Sequence, residues 1–412
     1  MIWQWLFLLG LTLLGMAVLK RLGVFYGLGL VVLGIGLAWS GLPIRPRLEQ
    51  SVLFQVLLPP LIFEAACGLD WPTLRRNLAV VGALAGPGVL LGSAAVACAM
   101  HGWLSWPWST AALFGILVSA TDPVAVIATF RHAGLGGRAV VLLEAESLFN
   151  DGTAAVLFAM TLEWIVQQTG TPVPSSGDAL AALRAFPAFL QPGAVLPGVA
   201  GATLVGVAAG RAMCLLRRRW TNALFNEILM LGAGYLVFYA ASVVHGSGVL
   251  AALLAGLMVA ADRPALTDEL ERQAQASLHL PAGLVFVSLA ANGMIFLLLG
   301  LSLGSQHWLA DARLTLPAAG IALLGRACAI YPVSALFRGG GQAIPAAFQH
   351  VLVWGGLRGA LSLALALSVP AGLPGRDALI LATLTVVACS LFAQGPSMPA
   401  MLRRLRILRP PE

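Results

Sequence analysis

Stretches of about 20 residues with almost no charge recur from one end of this 412-residue chain to the other. A helix of that length, rising about 1.5 Å per residue, crosses the roughly 30 Å hydrocarbon core of a bilayer. In lipid every backbone N–H and C=O must be paired within the protein, so such a chain folds as a helical bundle across a membrane. Composition agrees, since 10% of residues are charged and 59% are hydrophobic, with a mean hydropathy of +0.89. A soluble protein carries about 25% charged residues. The first stretch, MIWQWLFLLGLTLLGMAVL, has no charge before it and Lys20-Arg21 after it. A cleavable signal peptide carries its charge first, so the sequence predicts a retained first helix.

Hydropathy windows of about 19 residues predict thirteen spans: 2–19, 22–40, 51–69, 77–100, 107–130, 138–167, 192–216, 222–244, 246–262, 281–303, 314–337, 347–370 and 377–402. Twelve is the alternative count, because 246–262 is short and 22–40 is glycine-rich. Basic residues in the connections discriminate. With the N-terminus outside and the C-terminus in the cytoplasm, sixteen fall inside (Lys20, Arg21, Arg75, Arg76, Arg131, Arg138, Arg217, Arg218, Arg219, Arg263, Arg272, Arg338, Arg403, Arg404, Arg406, Arg409). Five fall outside (Arg45, Arg47, Arg184, Arg313, Arg376), and Arg211, Arg326 and Arg358 lie within spans. The net charge of +7 therefore reflects the positive-inside rule rather than nucleic-acid binding. The sequence predicts one transmembrane domain over 1–412, in an inner (plasma) membrane, with no soluble C-terminal domain. The longest polar connection is 168–191. Five scattered cysteines, Cys67, Cys98, Cys214, Cys328 and Cys389, lack metal-ligand spacing and read as small core residues.

A charge at mid-bilayer costs about 2.5–3.5 kcal/mol on insertion scales, so the buried acids single themselves out. Residues 144–152 read EAESLFNDG. At about 100° per residue, Glu144, Ser147 and Asp151 share one helix face, while Glu146 and Asn150 share another, with Glu146 about 140° from Asp151. Asp151 has no cation nearby in sequence and Ser147 one turn away. Burial penalises its charge, which is relieved by a proton or by a small cation, two outcomes that exclude each other. An aspartate held by an interhelical hydrogen bond is the plain alternative. Arg358, flanked by glycines in GGLRGALSLALALS, is the expected partner of Glu146, and that pair reads as structural.

Thr121-Asp122-Pro123 interrupts the fifth span, because proline lacks an N–H and disfavours helix in the residue before it. The carbonyls so freed are tolerated at membrane depth only against protein or a wet cavity, as at transporter binding sites. Asp122 is then placed beside the positive end of the following half-helix. Gly355-Gly356-Leu357-Arg358-Gly359 interrupts the twelfth span. Two breaks about 240 residues apart suggest an inverted repeat, 1–167 and 222–402, linked by span 192–216. Glu64, in LLPPLIFEAACGLD, reads equally as functional or as an interfacial glutamate. His245, Glu227 and Asn292 are weaker candidates.

Together SATDPVAV, LLEAESLFNDG, LPPLIFEAA, HGSGVLAALLAGL, MIFLLLG and GGLRGALSLALALS resemble, in order and spacing, the monovalent cation/proton antiporters, NhaP-type sodium/proton exchanger branch. The resemblance covers about 20–400. It implies an NhaA/NhaP-like homodimer of thirteen-helix protomers, with a six-helix transport bundle moving against a scaffold. It implies Asp151 as the ion- and proton-binding carboxylate, preceded by Asn150. Ser147, Glu64 and Thr121, through its carbonyl, complete the cation site. Glu146 and Arg358 match the family's buried ion pair, and Asp122 the acid of the unwound helix. Glu144 is left as an entrance candidate. A single aspartate after Asn150 implies electroneutral one-for-one exchange of Na+, with Li+ or K+ as possible substrates, serving pH homeostasis without a cofactor. Set against the resembled family, the sequence leads us to expect no C-terminal regulatory domain and no tail-based control. A K+/H+ antiporter of the same mechanism and a cation channel are the competing readings. An intramembrane enzyme is disfavoured, since no Ser/His or HExxH arrangement appears.

Overall fold

The computed structural model describes residues 2–22, 26–40, 52–132, 136–168, 192–220, 222–244, 246–263, 280–305, 312–370 and 372–407. The predicted connection 168–191 and His245 therefore lie almost wholly or wholly outside the described residues. Among those described, all regular structure is helical. The helices are α1 (Ile2–Arg21), α2 (Tyr26–Trp39), α3 (Leu58–Gly68), α4 (Trp71–Ala83), α5 (Val89–Leu104), α6 (Trp108–Leu117), α7 (Val124–His132), α8 (Arg138–Gln168) and α9 (Pro192–Arg219). They continue as α10 (Ala223–Val243), α11 (Gly248–Ala261), α12 (Ala282–Ser305), α13 (Ala312–Leu336), α14 (Ala346–Trp354), α15 (Ala360–Leu367), α16 (Arg376–Cys389) and α17 (Gly395–Arg404). Helix occupies each of the thirteen predicted segments. Seven stretches are long and apolar enough to cross a bilayer by themselves.

Proline shapes the joints. Short π-helical turns, Leu53–Leu57, Leu84–Gly88 and Ser390–Gln394, precede Pro59-Pro60, contain Pro87 and precede Pro396. A helical proline offers no N–H to the carbonyl four residues back, and a wider turn pairs that carbonyl with a later donor instead. In this way α4 and α5 remain one continuous rod from Trp71 to Leu104 despite Pro87.

Small residues set the helix spacing. A Cβ added to Gly34 of α2 would strike the Leu297 carbonyl of α12, and one added to Gly300 would strike the Val31 carbonyl. Backbones approach this closely only where side chains are absent, the usual packing mode in lipid. Large apolar side chains on α1 (Trp3, Leu6, Leu14), α9 (Leu204, Leu215) and α10 (Leu236, Tyr239) face outward, as suits a surface solvated by hydrocarbon. Cys67 and Cys214 are buried, but Cys98 is exposed on that outer surface, contrary to the expectation of a core residue. All five cysteines are unpaired thiols.

The basic connections knit together one end of the bundle. Arg138, opening α8, donates to Asn77 Oδ1 at 2.8 Å, to the Ala343 carbonyl at 3.0 Å and to the Gln342 carbonyl at 2.6 Å. Arg218 pairs with Asp262, and Arg263 donates to the Cys67 carbonyl.

Candidate functional site: crossed helix breaks around Asp151

Two predicted interruptions meet at one place. Helix stops at Leu117 and resumes at Val124, and again stops at Trp354 and resumes at Ala360. The exposed backbone groups of one break are partly satisfied by the other. Asp122 N–H donates to the Leu357 carbonyl at 2.7 Å, and Ser362 Oγ donates to the Ala120 carbonyl at 3.2 Å. Asp122 Oδ1 accepts from Val124 N–H at 3.0 Å, placing a carboxylate on the positive end of α7. The breaks touch at Gly359, where an added Cβ would lie 2.5 Å from that of Asp122.

Helix α8 passes this crossing with both predicted faces in use. On one face, Ser147 Oγ donates to the Thr121 carbonyl, and Asp151 Oδ1 accepts from Thr121 N–H at 3.2 Å. Thr121 Oγ1 is buried and has no hydrogen-bond partner among the described residues. The Thr121 carbonyl, expected as a cation ligand, accepts the Ser147 hydroxyl and keeps a second lone pair. Asp151, Ser147, Thr121, Asp122, Glu144 and Glu64 all line one cavity of about 870 Å³. Its lining also includes Asp70 and Val140, near the arginine-bearing end. Glu64 reaches the lining from α3, and its Oε2 accepts from Ser288 Oγ of α12 at 3.2 Å. The cavity thus gathers carboxylate, hydroxyl and carbonyl oxygens, the donor types that hard cations prefer.

The other face is dry. Glu146 is 1% exposed and receives both guanidinium nitrogens of Arg326, at 2.5 and 2.7 Å, as a fork. Asn150, fully buried, donates its amide to the same carboxylate. It does not line the cavity, so its predicted membership of the ion-binding set is not met by direct contact. The expected partner of Glu146 was Arg358, and the structure corrects this. Arg358 donates to the Gly356 carbonyl and, at 3.2 Å, to the Ala322 carbonyl. It lies in the unwound segment just past α14, where terminal carbonyls lack intrahelical donors and the helix dipole favours a cation. Arg326 instead lies within the intact helix α13, aimed across at α8. Nothing in the local sequence ranks the two arginines, since both follow a glycine or flank one inside an apolar span. Of the weaker candidates, Glu227 accepts from Gly283 N–H at 2.5 Å, and Asn292 donates to Tyr26 Oη at 3.2 Å. Tyr26, Ser288 and Ser362 went unnoticed in the sequence, where lone hydroxyls in apolar spans carry no pattern.

An apolar helical bundle in which two broken helices cross beside a buried carboxylate has the architecture of a secondary transporter, not of an enzyme. The family described as "Sodium/hydrogen exchanger, transmembrane" matches residues 8–404, and the chain belongs to that family. The chain is 30% identical to the Na(+)/H(+) antiporter ApNhaP of Aphanothece halophytica, over 98% of this chain and 75% of that one. It is 32% identical to the Na(+)/H(+) antiporter NhaP of Pseudomonas aeruginosa, over 88% of this chain and 83% of that one. Its fold is similar to the structure of the sodium proton antiporter MjNhaP1 from Methanocaldococcus jannaschii, with a TM-score of 0.72 over 97% of both chains at 19% identity.

Proposed function

We propose that the protein exchanges Na+ for H+ across the bacterial inner membrane, one for one, by alternating access. The observation that carries this reading is the convergence of Asp151, Ser147 and Thr121 at the crossed breaks, on the wall of a polar cavity. Asp151 binds either the cation or the proton. Ser147, Thr121 and Glu64 contribute the remaining oxygens to the cation, and water in the cavity completes its shell. Because a proton on Asp151 removes the negative charge the ion needs, one ligand must leave before the other binds. Asn150 supports one-for-one exchange, for it is neutral and committed to Glu146, leaving a single acid at the Asn-Asp pair.

The same reading takes the thirteen helical segments as thirteen crossings, arranged as inverted halves 1–167 and 222–402 in a homodimer. The N-terminus lies outside and the C-terminus in the cytoplasm, consistent with the arginine-rich end of the bundle. Glu144, on the cavity wall two turns before Asp151, lies on the cation's way in.

The test is exchange by purified protein in liposomes under an imposed pH gradient. Wild type moves protons when Na+ is added, and D151N does not; transport by D151N at the wild-type rate would refute the assignment. Parallel addition of Na+, Li+ and K+ ranks the substrates, and a voltage-driven current without proton counterflow would replace exchange with a channel.

A further inference from the structure

We propose that Asp70 is a recruiting site for the cation at the arginine-bearing end of the cavity, where a still-hydrated monovalent cation is held by charge before it reaches Asp151. This rests on the proposed exchange at Asp151. Asp70 lines the same cavity as Glu144, Ser147 and Asp151 and is 8% exposed. It stands at the N-cap of α4, where an aspartate ordinarily accepts from the backbone N–H two or three residues on. Here its side chain caps neither, and Pro72, two residues on, has no N–H to give. Its Oδ2 accepts instead from the Thr73 hydroxyl at 2.6 Å, and its Oδ1 has no hydrogen-bond partner among the described residues.

The neighbouring arginines are engaged elsewhere. Arg75 and Arg76, a turn further along α4, are exposed. Arg138 donates to Asn77 Oδ1 and to the Gln342 and Ala343 carbonyls, all neutral acceptors. Asn77 in turn donates to the Thr73 carbonyl at 2.8 Å, so this arginine is tied to α4 without touching the acid. Among the described residues Asp70 enters no ion pair. A nine-tenths buried acid ordinarily takes a cationic partner; this one is left to a hydroxyl and the cavity.

Along α8, Val140, Glu144, Ser147 and Asp151 line the cavity turn by turn, and Asp70 joins the lining at the Val140 end. A cleft lined by one sign of charge between low-dielectric walls focuses the field and raises the local concentration of the counter-ion. A single carboxylate oxygen offers too few ligands to replace a hydration shell, so Asp70 acts on the ion's charge and not on its size. Recruitment therefore lowers the KM for Na+ and K+ alike and leaves turnover alone. It weakens as salt shortens the reach of the field, from about 10 Å at 0.1 M to about 3 Å at 1 M.

The experiment measures exchange by the full chain in liposomes with Na+ and with K+, at low ionic strength and again with choline chloride added on both sides. Wild type is compared with D70N, D70S, D70K and T73V. Asparagine and serine are good N-cap residues, so α4 keeps its start in the first two. At low ionic strength the KM for Na+ rises about threefold in D70N and about tenfold in D70K, the lower range of electrostatic focusing, while kcat holds. Both differences shrink below about 1.5-fold in high salt, and the Na+ over K+ preference is the same in every variant. T73V, which keeps the carboxylate and loses only the hydroxyl, has the wild-type KM. A wild-type KM in D70N, a shift that survives high salt, an altered Na+ over K+ preference, or a T73V shift matching that of D70N would each overturn the proposal. Should D70N not fold, D70S is judged by the same criteria. Transport by D151N at the wild-type rate would instead remove the exchange site itself, whatever the Asp70 variants do.

Discussion

At the residue scale, the site divides charges by what each is allowed to meet. Glu146 meets a forked guanidinium and an amide in a dry setting, whereas Asp151 meets one backbone N–H and a cavity. Removing Arg326 strands a buried carboxylate, so R326M is expected to lower stability by about 3–5 kcal/mol. Arg358 contacts carbonyls and meets Glu146 only through its field, without a described ion-pair contact, so R358M costs about 1–2 kcal/mol, the scale of a cation at a helix C-terminus. Thermal unfolding in detergent ranks the two, and equal or reversed losses would restore Arg358 as the principal ion-pair partner. The two faces of EAESLFNDG were legible in the sequence because helical periodicity alone separates positions 147 and 151 from 146 and 150. The identity of the arginine was not, because it depends on which helix lies against α8.

At the element scale, the crossing of α6–α7 with α14–α15 requires that nothing project from Gly359. A methyl there would sit on Asp122, so G359A is expected to force the breaks apart. We predict loss of exchange by more than tenfold, with protein that still inserts and purifies, since the outer helices are untouched; this follows from a 1 Å misplacement costing about 10²-fold in rate. Near-normal exchange by G359A would show that the crossing tolerates displacement. Both breaks were legible, one from Pro123 and one from a run of glycines. That they touch was not, because helix pairing is decided by close approaches such as Gly34 on Gly300, spread over residues far apart in sequence. The Ser288–Glu64 contact was hidden for the same reason. The π-helical turns were half legible: the prolines mark a disturbance but do not tell a kink from a widened turn that carries the helix through.

At the scale of the whole molecule, one cavity runs between the two features, lined by Asp70 and Val140 at the arginine-bearing end and by Asp151 and Thr121 at the crossing. Membrane architecture was legible from hydropathy, because the bilayer imposes length and apolarity on each segment separately. The cavity was not, since it is enclosed by helices distant in sequence. If cation and proton share Asp151, acid must act by competition. As pH falls, more of the sites carry a proton, and a protonated site offers no charge to Na+; saturating Na+ nevertheless displaces the proton. The deciding measurement is Na+-dependent exchange in liposomes over a series of pH values, resolved into apparent KM and maximal rate. With a shared Asp151, the KM for Na+ rises with acidity, approaching about tenfold per pH unit once the proton dominates, as one-proton linkage requires, while the maximal rate stays nearly constant. A constant KM with a maximal rate that falls in acid would contradict it.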